Sequence, residues 1–77
     1  MDKKTLERAN ELTRYIYNAS NDIENIKKVD VSDGKFICIA NKNNIHANEE
    51  LLGKVIDLVV DYKTEQIKNW QKELDEL

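Results

Sequence analysis

Ala9, Leu12, Ile16, Ala19, Ile23 and Ile26 recur at intervals of 3, 4, 3, 4 and 3. Alternating steps of three and four keep all six residues on one stripe of an α-helix, the spacing of a seam that packs against a second helix. The residues between them are mostly polar, so the stripe is narrow and calls for one partner element. The pattern predicts a helix over residues 5–28, roughly 36 Å long. Ala9 and Ala19 are small enough to let a neighbouring helix approach closely.

The same interval series returns near the other end of the chain, in Val60, Lys63, Ile67, Trp70, Leu74 and Leu77, with Lys63 its one polar member. The segment before it, Leu51 to Tyr62, is apolar over more than half of a helical circumference, more than one neighbouring helix covers. Asn48 is a good N-cap, and Glu49 and Glu50 suit the positive end of a helix dipole. A second helix is therefore expected over residues 49–76, roughly 42 Å long. The chain has no proline, and its two glycines are Gly34 and Gly53.

Between the helices the period changes. Ser32-Asp33-Gly34 is a turn signal. Lys35-Phe36-Ile37-Cys38-Ile39-Ala40 is rich in β-branched and aromatic residues, Asn41 to Asn44 is turn chemistry, and Ile45-His46-Ala47 can return as a strand. A short β-hairpin over residues 35–47 follows. A loop at residues 42 and 43 pairs Ala40 with Ile45 and Cys38 with Ala47, and sets Cys38 and His46 on opposite faces. With apolar residues on both faces, and with two short strands unstable alone, the hairpin is expected to lean on the helices and be covered on both sides. The fold class is thus α+β: long helix, short β-hairpin, long helix, one domain over residues 1–77, with the helices antiparallel and copies assembled into a homo-oligomer. Ile67, Trp70, Leu74 and Leu77 form the expected oligomer interface, because the start of helix 1 offers them only a thin covering surface.

Charge narrows the function. The net charge is −3. Residues 1–28 hold six basic and five acidic groups, whereas residues 49–77 hold four basic and eight acidic. A duplex nucleic-acid binder shows the opposite balance, so none is expected. The longest apolar run, Phe36 to Ala40, is far too short to span a membrane. Cys38 is the single cysteine, which excludes an intramolecular disulfide. No apolar segment of signal-peptide type follows Met1-Asp2-Lys3-Lys4-Thr5, so a cytoplasmic location is expected. His46 and Cys38 alone do not make a metal site. No nucleophile–base arrangement is evident, so neither catalytic residues nor a cofactor are expected.

Two surface patterns remain. Asp57, Asp61 and Glu65, at i, i+4 and i+8, form an acidic stripe suited to docking on a basic protein partner. Arg8, Arg14, Tyr15 and Lys28 combine forked and point-charge donors with a ring that can stack on a base, the chemistry of an anionic nucleotide held at a subunit interface.

The run NEELLGKVIDLVVDYKTEQIKNWQKELDEL, the leading LERANELTRYI, the short β segment between them and the closing Glu73-Leu74-Asp75-Glu76-Leu77 resemble small accessory proteins of low-GC phages and mobile elements. Nine asparagines and eighteen Ile plus Lys residues agree with AT-rich coding. That resemblance transfers no site residue. It implies a counter-defence role in the host-cell cytoplasm, either as a stoichiometric inhibitor of a host immune protein or as an oligomeric sponge for a nucleotide messenger. A structural assembly module without ligand is the plainer expectation.

Overall fold

A computed structural model describes residues 2–30, 36–39 and 42–77. The element order is α1 (Lys3–Lys27), β1 (Phe36–Ile39), β2 (Asn43–His46) and α2 (Glu49–Glu76). The fold is mostly helical: two long helices pack on each other, with a short two-stranded ribbon between them in sequence.

Helix α1 starts two residues before its expected boundary, because Asp2 takes up the N-cap. Its extended backbone and carboxylate let Oδ1 accept the Thr5 N–H at 2.8 Å. This bond also holds the Asp2 carboxyl below its ordinary value. Helix α2 runs over the expected residues, and Asn48 caps it by accepting the Leu51 N–H at 2.8 Å. Each cap satisfies one backbone donor that the first helical turn leaves without an intrahelical partner.

The two helices run antiparallel, as the pairings of Arg8 with Glu73, Tyr15 with Trp70 and Asp22 with Lys63 require. The seam of α1 lies inward throughout: Leu12 and Ala19 are buried and Ala9, Ile16, Ile23 and Ile26 are half-buried. From α2, buried Leu52 and half-buried Ile56, Val59, Lys63, Ile67, Trp70 and Leu74 share the inward side. Among the described residues the fully protected core is small, and Leu12, at 0% exposure, is its one large side chain without solvent contact.

The hairpin departs from expectation in two ways. Its register pairs Phe36 with His46, Ile37 with Ile45, Cys38 with Asn44 and Ile39 with Asn43. Cys38 therefore faces Asn44, not Ala47, and Asn43 and Asn44 belong to a strand. The offset from the expected register is an odd number of residues, which exchanges the faces of the return strand and places positions 38 and 46 on the same side of the ribbon. A two-residue loop at Lys42-Asn43 would need positive φ without a glycine to supply it, which accounts for the failure of that register. The hairpin also runs little of its backbone against the helices: among the described residues, close backbone approach joins α1 to α2 and β1 to β2. All four residues of β2 are exposed, so the ribbon is not covered on both faces. The expected turn at Ser32-Asp33-Gly34, the start at Lys35 and the pairing of Ala40 fall outside the described residues.

The molecule is elongated, 50 × 22 × 15 Å, with a radius of gyration of 16.2 Å. A compact domain of this length has a radius near 11.5 Å.

Candidate functional site

The charged groups that pair the two helices lie beside the seams or, for Lys63, within one. Arg8 stands one residue before Ala9 and Glu73 one residue before Leu74, and antiparallel packing brings these flanks together. Arg8 Nε donates to Glu73 Oε2 at 2.6 Å and Nη2 donates to Glu73 Oε1 at 3.0 Å, a two-pronged fork. Nη1 donates to Glu11 Oε2 at 3.0 Å. The bonds to Glu73, and then to Glu11, push the Arg8 guanidinium further up from its already high value. The bond from Arg8 holds the Glu73 carboxyl below its ordinary value, against a smaller opposing effect of desolvation. Toward the other end, Lys63 Nζ lies 3.0 Å from Asp22 Oδ2. Lys63, the polar member of the α2 seam, thus has a counter-charge on α1.

The Arg/Tyr group does not converge on one open site. Three nitrogens of Arg8 are engaged within the chain. Tyr15 packs against Trp70 with ring centroids 5.5 Å apart and planes at 44°, so this ring is part of the helix–helix contact. The Arg14 guanidinium carbon lies 5.6 Å from the Tyr15 centroid, in cation–π range. Lys28 sits at the C-terminal cap of α1, exposed, with its backbone N–H donating to the Asn25 carbonyl at 3.2 Å.

The acidic stripe is where the sequence put it. Asp57, Asp61 and Glu65 are all exposed on the outer side of α2. Of the residues expected at an oligomer interface, Ile67, Trp70 and Leu74 are half-buried within one chain and Leu77 is exposed. The surface troughs are open: one follows Thr64, Ile67, Lys68 and Lys72 along α2, another lies at Tyr17, Ser20, Asn21 and Glu24 on α1. Among the described residues no cluster of three His, Cys, Asp or Glu side chains is arranged to hold a metal. No helix among the described residues is long and apolar enough to cross a membrane.

Sequence reasoning missed the Arg8–Glu73 and Lys63–Asp22 pairs. Their signal was present: Arg8 and Glu73 flank two seams of equal spacing, Lys63 lies within one of them, and setting the seams antiparallel brings Arg8 to Glu73 and Lys63 to Asp22. It also left Leu51, Val55, Leu58 and Tyr62 unresolved within the broadly apolar start of α2. These four form a stripe of their own, spaced 4, 3 and 4, that α1 does not cover. No protein-family model matches the chain, and neither a curated protein nor a solved structure matches it significantly.

Proposed function

We propose that this protein is a non-catalytic, phage-type accessory protein that acts as a homo-oligomer in the cytoplasm by stoichiometric binding, inhibiting a host defence protein through the outer face of α2. The observation that carries this reading is the outward run of exposed carboxylates, Asp57, Asp61 and Glu65, along one helix. A single-sign charged strip suits a protein partner with a basic surface, for which the charges supply orientation and encounter rate. Its acidity disfavours nucleic acid. Sequestration of a nucleotide messenger gains less support, because Arg8 would have to leave Glu73 and Glu11 to serve an anion.

The test is co-purification of the tagged full chain from host cells. A host protein retained by the wild type and lost from Asp57→Lys/Asp61→Lys, with helicity unchanged, is the expected result. Equal retention by the charge-reversed variant overturns the assignment of the acidic face. A nucleotide that raises the melting temperature of the wild type but not of Arg8→Ala would transfer the function to the sequestration reading.

A further inference from the structure

The chain exposes more surface than its mass accounts for. A compact monomer of 9.0 kDa has roughly 4,900 Å² of accessible surface. This chain has 6222 Å², about 1,300 Å² more. A standard protein interface removes about 800 Å² from each partner, so the excess is of the size that one association face would absorb.

The exposed apolar residues show where that face lies. Leu51, Val55, Leu58 and Tyr62 fall within an arc of about 60° on α2, turned about 90° from the side that meets α1. Leu51 is 38%, Leu58 69% and Tyr62 63% exposed, and Val55 is half-buried at the arc's inner edge. Spacing of 4, 3 and 4 is that of a helix–helix seam, so the fitting occupant is another helix. The described hairpin does not cover it, since Leu51, Leu58 and Tyr62 stay exposed with the hairpin present. The acidic flank at Asp57, Asp61 and Glu65 disfavours an anionic lipid surface.

We infer that the occupant is a second copy of this chain, joined α2 to α2 in antiparallel fashion about a two-fold axis that passes between Val55 and Leu58. The stripe is self-complementary in that arrangement. Leu51 of one copy meets Tyr62 of the other, and Val55 meets Leu58. The acidic residues stay on the rim, so the dimer presents two such stripes. This inference rests on the self-association part of the proposed function and places its interface on the first half of α2, away from the Trp70 end that Tyr15 already covers.

Sedimentation equilibrium of the full chain at micromolar concentration tests it, with circular dichroism as the check on folding. The wild type is expected at twice the chain mass. Leu58→Asp is expected at the single mass with unchanged helicity, its dissociation constant raised at least about tenfold by a charge forced into the apolar contact. If Leu58→Asp loses helicity, Tyr62→Glu decides in its place. A wild type that stays at the single mass overturns both this inference and the self-association reading. A dimer that persists in Leu58→Asp and Tyr62→Glu, or that dissociates in Leu77→Asp alone, overturns the placement of the interface and leaves self-association standing.

Discussion

Arg8 and Glu73 show how a single pair ties the chain's two ends to each other. Both side chains keep about two-fifths of their surface exposed, so their attraction is screened by water, and geometry makes the pair matter more than charge alone. Its pH dependence has a definite sign. The Glu73 carboxyl is held below its ordinary value of 4.5 by Arg8, so the pair's contribution is complete above that value and disappears as pH falls through the lower folded-state value. Arg8 is shifted upward, which keeps it charged across the accessible range and leaves Glu73 to set the acid limit. The expected outcome is a melting temperature that declines as pH falls below 4.5, and a shallower decline in Glu73→Gln. A thermal-melt series of both proteins checks it, and parallel curves would show that other carboxylates govern the acid transition.

At the scale of elements, the helices and the presence of a ribbon were legible and the ribbon's register was not, for physical reasons. Helix α2 begins after Asn48 because capping is local chemistry, carried by one side chain and the N–H three residues on. The α1 seam is equally local, and each of its six residues turns inward. Asp2 could have been read in the same way, as a cap for Thr5. The ribbon lacks such a guide: Phe36 to Ile39 are apolar at every position, so no alternation selects one register over another. The pairs between helices demand a third kind of information, the relative alignment of two seams, which neither helix contains alone. Gly53 gives an element-scale prediction. It lies inside α2, and a Cβ there would meet nothing within 4 Å. Gly53→Ala should therefore stabilise the fold by about 0.5–1 kcal/mol through helix propensity. Urea titration measures this directly. Gly53 lies on the side of α2 opposite the Leu51–Tyr62 stripe, so sedimentation of the variant should be unchanged.

The whole molecule has little stability in reserve. A chain of 77 residues has on the order of 4–12 kcal/mol of folding free energy. Leu12 is its one large side chain wholly removed from solvent among the described residues. Truncating such a leucine costs about 2–5 kcal/mol, a large part of that total. Leu12→Ala is expected to be partly unfolded at 37 °C, visible as lost helical circular dichroism, whereas Leu6→Ala, at an exposed position, should melt close to the wild type. The two ion pairs between the helices have a consequence at this scale beyond energy. Apolar seams that repeat every seven residues are nearly indifferent to sliding by one repeat, since each leucine or isoleucine finds another like it. Sliding α2 by one repeat sets Gln66 opposite Arg8 and Ile56 opposite Asp22, and sliding it the other way sets Trp70 opposite Asp22. None of these residues offers a counter-charge. The pairs act as notches on a vernier: grease brings the rods together, and two charged teeth decide which graduation lines up.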